Sequence, residues 1–86
     1  MAYRIEFLAG AERQFRKLER PVQERLGRTI DALSTNPRPS GARKLEGEIG
    51  LYRVRAGDYR VVYQIRDRVL LVLVVRLGHR KEVYRG

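Results

Sequence analysis

At 86 residues, with no cysteine and one histidine, the chain is sized for one domain (1–86) with one modest core, and it lacks the thiols for a disulfide or a thiolate metal site. The apolar run "VLLVLVV" (69–75) is far shorter than the ~20 residues of a spanning helix, and His79 alone builds no zinc site, so no membrane span, metal or cofactor is expected. The charge is lopsided: 19 basic against 10 acidic side chains, a net +9 and a pI near 10.8.

The N-terminal "MAYRIEFLAG" carries one arginine and no apolar run of signal length, so a cytoplasmic protein is expected. Residues 2–8 alternate: Tyr3, Ile5 and Phe7 point one way, Arg4 and Glu6 the other, which is strand periodicity. In "GAERQFRKLER" the period changes, and Ala11, Phe15 and Leu18 recur at helical spacing. Pro21 ends that segment and suits the first turn of the next. There Val22, Leu26, Ile30 and Leu33 form a second stripe, giving a helical hairpin with a very short link. "STNPRPSGA" (34–42) stops the second helix with two prolines and a glycine. "RKLEGEIG" continues the loop, with Leu45 as the anchor onto the core. Three strands follow, Leu51–Arg55, Tyr59–Ile65 and Val69–Leu77, separated by the short turns "AGD" and "RDR". Gly78 breaks the last of them, and "KEVY" is a candidate short strand after it. The order β-α-α-β-β-β implies an α+β fold, a mostly antiparallel sheet with the helix pair on one face. The third long strand is apolar on both parities, as a central strand should be.

A two-residue turn at Gly57-Asp58 would pair Ala56 with Tyr59, Arg55 with Arg60, Val54 with Val61, Arg53 with Val62 and Tyr52 with Tyr63. Alternation then puts Tyr52, Val54, Val61 and Tyr63 on the face meeting the helices. Arg53, Arg55, Arg60, Val62 and Gln64 fall on the other. Like charges opposed across a ladder are destabilising. Two readings stand: long arginines splaying harmlessly into solvent, or an anion site. Arginine grips phosphate with a planar fork of donors. Lysine occurs only at Lys17, Lys44 and Lys81, so the charge is nearly all arginine. Such a domain suits a nucleic-acid partner, although an arginine-rich composition inherited from a GC-rich genome gives the same totals. His79, Arg80 and Tyr84 follow the last strand. They could be a surface imidazole, a carboxylate partner and a packed ring, or together the parts of phosphate-ester chemistry.

These residues, in this order, resemble the RelE family of bacterial and archaeal toxins, within the wider RelE/ParE superfamily. The likeness covers nearly the whole chain. It runs through "AYRIEF", "RKLERPVQERLGRTIDAL", "NPRPSGARKLEGEIGLYRVRAGDYRVVYQI" and "VVRLGHRKEVY". Its most specific part is "G-LYR-R-GDYRVVY" followed by "GHR-EVY". The resemblance implies a microbial-RNase-like fold and a toxin of a type II toxin–antitoxin system. It implies a ribosome-dependent mRNA endonuclease, cutting message in the A site by metal-free attack of the ribose 2′-OH to leave a 2′,3′-cyclic phosphate. By position, the implied catalytic residues are Arg53, Arg55, Arg60, Arg80 and Tyr84. Some members carry lysines where Arg53 and Arg55 stand. Arginine does not give up its proton, so these two serve in electrostatic stabilisation and backbone grip. His79 or a solvent-relayed group is left as general base. Arg80 would neutralise the transition state or serve the leaving 5′-oxygen, and Tyr84 would stack on or orient a base.

The resemblance also implies a RelB-like antitoxin, acidic and partly disordered, with DNA met only through that partner. Two alternatives share the fold. One is a ParE-like inhibitor of DNA gyrase, a branch that typically lacks the arginine and tyrosine cluster. The other is a non-catalytic RNA-binding homologue.

Overall fold

The structure, a computed structural model, describes residues 2–47 and 49–79. Alternation in "RIEF" forms β1 (Arg4–Phe7), its side chains exposed and half-buried in turn. The helices α1 (Ala9–Arg16) and α2 (Arg20–Thr35) follow. Pro21 lies in the first turn of α2, where its missing N–H leaves no bond unmade. Gln23 reaches back from α2 and donates its Nε2 to the carbonyls of Phe15 (2.9 Å) and Arg16 (3.3 Å). It thereby adds a side-chain donor to the carbonyls at the end of α1, where Phe15 also accepts the Leu18 N–H (3.2 Å). α2 runs past the predicted stop at Ser34. The Ser34 hydroxyl donates to the Tyr3 carbonyl (2.7 Å), and the Ser34 carbonyl accepts the Tyr3 N–H (2.8 Å). These bonds tie its last turn to the start of β1.

The remaining strands are β2 (Arg43–Lys44), β3 (Leu51–Ala56), β4 (Tyr59–Arg66) and β5 (Leu71–His79). They form one sheet in the order β1-β5-β4-β3-β2. β1 runs parallel to β5 and every other pair is antiparallel. The α+β class and the helix pair on one face are as the periodicities require, and α1 and α2 contact β1, β3, β4 and β5.

Several predicted details are corrected. β5 begins at Leu71, because Asp67–Val69 form a 3-10 turn and Leu70 reverses the chain at a φ of 51°. Val69, expected inside the strand, is consequently exposed. β2 pairs with β3 where a loop was expected. Leu45 is half-buried and lies outside the core cluster, fastened instead by its N–H to the Leu51 carbonyl (2.9 Å). Gly78 does not break the last strand; it sits within β5, paired with Arg60. The candidate strand "KEVY" lies outside the described residues.

The core is built where the stripes converge. Leu26, Ile30 and Leu33 of α2 and Ala11 of α1 meet Val54, Val61, Tyr63, Val72, Val74 and Leu77 of the sheet. Phe7 and Phe15 close one side edge to face, centroids 5.9 Å apart. Helices this short are marginal alone, so burial against the sheet is what holds them. No helix among the described residues is long and apolar enough to cross a membrane.

Candidate functional site

The β3–β4 hairpin has the register that the Gly57-Asp58 turn demands, from Ala56 opposite Tyr59 to Tyr52 opposite Tyr63. Gly57 takes a φ of 63°, the left-handed conformation that a tight hairpin asks of glycine. Parity then separates the two faces. Val54, Val61 and Tyr63 belong to the core, so Arg53, Arg55 and Arg60 stand on the face away from the helices.

Two rows cross that face. The first runs Arg43, Arg53, Val62, Arg76 through β2, β3, β4 and β5. The second runs Arg55, Arg60, Gly78. Directly opposed residues lie about 5 Å apart at Cβ and diagonal ones about 7–8 Å. Arg60 is 5% exposed, an unusual depth for a residue type that is almost never fully buried without a partner. Its ladder neighbour on β5 is a glycine, which leaves room for the guanidinium to lie along the sheet. Val62 is 1% exposed yet takes no part in the core cluster. It sits between Arg53 and Arg76, whose aliphatic stems are suited to covering it.

Arg43 and Arg76 were missed by sequence reasoning. Arg43 occupies a two-residue strand too short to show a period. Arg76 is brought round by a β-bulge. Val62 pairs with Arg76 but Tyr63 pairs with Val74, so Val75 is an extra residue on β5. Beyond it, parity inverts.

The acids closest to the hairpin in sequence are turned elsewhere. Asp58 lines a hollow with Arg25, Arg28 and Tyr59 beside α2. Asp67 accepts both terminal nitrogens of Arg38 (3.2 and 2.9 Å) and the Tyr3 hydroxyl (2.6 Å). The Arg38 fork, with Tyr3 in support, holds the Asp67 carboxyl down at about 2. The same carboxylate raises both Tyr3 and Arg38.

Arg38 also donates to the Tyr52 hydroxyl (3.2 Å) and stands 5.4 Å from that ring's centroid. Tyr52 stacks on Tyr63 at 6.0 Å, and the Tyr63 hydroxyl donates to the Pro37 carbonyl (2.8 Å). Burial pushes Tyr63 up to about 12. This ladder of rings and charges clamps the 36–42 loop to the back of the hairpin, directly behind the arginines.

Of the predicted site residues, the structure brings together Arg53, Arg55 and Arg60. His79 pairs with Tyr59, which packs against the core, and the two rings meet edge to face at 5.6 Å. By strand parity it lies on the helix side, not with the arginines. Arg80 and Tyr84 lie outside the described residues. Among the described residues, no group of three His, Cys, Asp or Glu side chains is placed to share a metal. The arginine face can bind and neutralise anions, with Arg60 as its most preorganised member.

Known proteins are similar to this chain in sequence and fold. The family model described as "ParE toxin of type II toxin-antitoxin system, parDE" matches residues 5–84. The chain is 36% identical to the mRNA interferase toxin RelE of Escherichia coli strain K12, covering 98% of this chain and 92% of that protein. It is 30% identical to toxin RelG of Mycobacterium tuberculosis, covering 99% of each. Among solved structures, it resembles the intact E. coli RelBE toxin–antitoxin complex with a TM-score of 0.80 and 32% identity, over 91% of this chain and 96% of that one. The archaeal RelE–RelB complex of Pyrococcus horikoshii gives 0.81 and 29%, over 93% and 97%.

Proposed function

This chain belongs to the RelE/ParE family of toxins of type II toxin–antitoxin systems, and from that premise we propose that it is an endoribonuclease cutting messenger RNA in the ribosomal A site. The observation that carries the reading is the gathering of Arg53, Arg55 and Arg60 on one sheet face, with Arg60 nearly buried. That the E. coli relative is named an mRNA interferase supports it.

The chemistry is an internal displacement. The 2′-oxygen of the nucleotide before the cut forms a bond to the adjacent phosphorus while the bond to the 5′-oxygen breaks. The products are a 2′,3′-cyclic phosphate and a 5′-hydroxyl. The 2′-OH proton passes to solvent and the leaving oxygen takes one up. Charge accumulates on the non-bridging oxygens, and fixed cations aimed at it lower the barrier. Arg60 fills that role, since its guanidinium needs little reorganisation. Arg53 and Arg55 grip the flanking backbone. Arg80 serves the transition state or the leaving oxygen, and Tyr84 orients the base. His79, turned to the other face, has no part in this scheme.

The partner is an acidic, RelB-like antitoxin, matched to the net charge of +9. The structural relatives in complex with RelB support it, and DNA is met only through that partner. The test is translation of a defined message with purified components, mapping cuts by primer extension. The reading expects cuts within A-site codons that vanish when the attacking nucleotide is 2′-deoxy. Intact message would overturn it. The ParE description of the matching family model favours one competitor, gyrase inhibition, and a supercoiling assay on the same preparation separates the two.

A further inference from the structure

We propose that Arg76 is a further RNA-binding residue of this face, holding the phosphate beside the one engaged at Arg60, and that the bulge at Val75 is the device that delivers it. The inference rests on the RNA-cleaving reading above. It begins with parity on β5. Val72 and Val74 point into the core. Unbroken alternation would send Arg76 after them and turn Leu77 outward. A guanidinium driven into an apolar core is strongly unfavourable. The extra residue inverts the pattern, so Leu77 is 1% exposed within the core while Arg76 stands opposite Val62 on the arginine face. Bulges commonly re-aim a side chain in this way beside a site.

Burying Leu77 would by itself explain the bulge. The state of Arg76 argues for more. An arginine that merely rode outward would extend its head into water. Here its Nε is buried and, among the described residues, has no hydrogen-bond partner. A buried N–H left without an acceptor is destabilising. That cost holds the side chain down on the sheet face, and a phosphate meeting the outer edge of the guanidinium gains charge-assisted bonds. The position fits a strand of RNA: Arg76 is diagonal to Arg60, about 7–8 Å away. It faces Arg53 across Val62, two strand spacings or about 10 Å distant. Arg53, Arg60 and Arg76 thus flank one valine as three cations on a shared floor, spaced for neighbouring phosphates of one strand.

The test compares wild type with Arg76→Ala and Arg76→Lys on ribosomes programmed with a defined message, measuring kcat, KM and their salt dependence. Losing one charged contact should raise KM about 10–100-fold and leave kcat within about three-fold. The slope of log affinity against log salt should shrink by about 0.7, the value for one phosphate contact on a single strand. Lysine should restore the salt slope, since a point charge still binds phosphate. Urea midpoints of all three proteins are recorded alongside. An unchanged KM and slope in Arg76→Ala, with wild type cutting normally, overturns the inference and leaves the nuclease reading intact. So does a lysine variant impaired as badly as alanine with a lowered midpoint, which marks a structural role. A wild type that leaves message whole overturns both.

Discussion

Tyr63→Phe removes one oxygen from behind the arginine face and nothing else. The ring of Tyr63 is wholly buried and stacked on Tyr52, so phenylalanine keeps the packing. What goes is the bond from its hydroxyl to the Pro37 carbonyl. The net value of such a bond is about 1 kcal/mol, and a carbonyl left dry costs about 1–3 kcal/mol. The expected loss is therefore about 2 kcal/mol. For a domain of this size, each kcal/mol moves Tm by about 4–8 °C, so a fall of about 10 °C is expected. Urea unfolding at pH 7, followed by far-UV circular dichroism, measures the loss directly. A pH series adds a second check. Burial raises the folded pKa of Tyr63 to about 12, above the ~10 of an unfolded chain. Its contribution is thus fully present below pH 10 and is lost as pH rises through 12. The gap between wild type and Tyr63→Phe should narrow across that window. A gap below about 0.5 kcal/mol at pH 7, or one constant from pH 9 to 12, would refute the reasoning.

Three further outcomes follow from the same geometry. Asp67 has its folded pKa lowered to about 2, so its contribution is complete above the ordinary carboxylate value near 4 and disappears as pH falls through about 2; Asp67→Asn should flatten the acid limb of a stability–pH curve. Gly57→Ala should destabilise by about 1–2 kcal/mol, because a Cβ is disfavoured at a φ of 63°, while the Arg25 guanidinium in its way is the end of a flexible side chain that can move aside; urea midpoints decide it. His79→Ala should keep its cleavage rate within about three-fold, since His79 stands with Tyr59 on the helix side, and a hundred-fold loss in single-turnover assays would return it to the chemistry.

The hairpin was legible because Gly57-Asp58 is a strong turn signal, and a two-residue turn fixes every pair beyond it. That alone revealed Arg53, Arg55 and Arg60. The helical stripes were legible too, and Leu26, Ile30 and Leu33 are buried as their spacing requires. β5 was not. Its residues are apolar on both parities, so nothing in the pattern marks Val75 as the extra residue, and Arg76 could not be assigned a face. β2 has two basic residues and no period. The parallel pairing of β1 with β5 depends on strands far apart in the chain, and local patterning carries no trace of it. His79 was grouped with the arginines because Gly78 looked like a break; in the ladder Gly78 is one more rung, so His79 falls on the opposite parity.

The most direct test of the arginine face as an RNA-cleaving centre is a single-turnover cleavage measurement on programmed ribosomes, comparing wild type, Arg60→Ala, Arg60→Lys and Arg28→Ala. Arg28 is exposed on α2, away from the face, and controls for general loss of positive charge. Circular dichroism confirms that each variant is folded. Removing one fixed donor from the developing charge should slow Arg60→Ala by about 10²–10³-fold, with Arg28→Ala within about three-fold of wild type. Arg60→Lys should recover only part of the rate, since a lysine offers a point charge in place of a fork. Wild-type rates in a folded Arg60→Ala, or an equal loss in Arg28→Ala, would contradict the account.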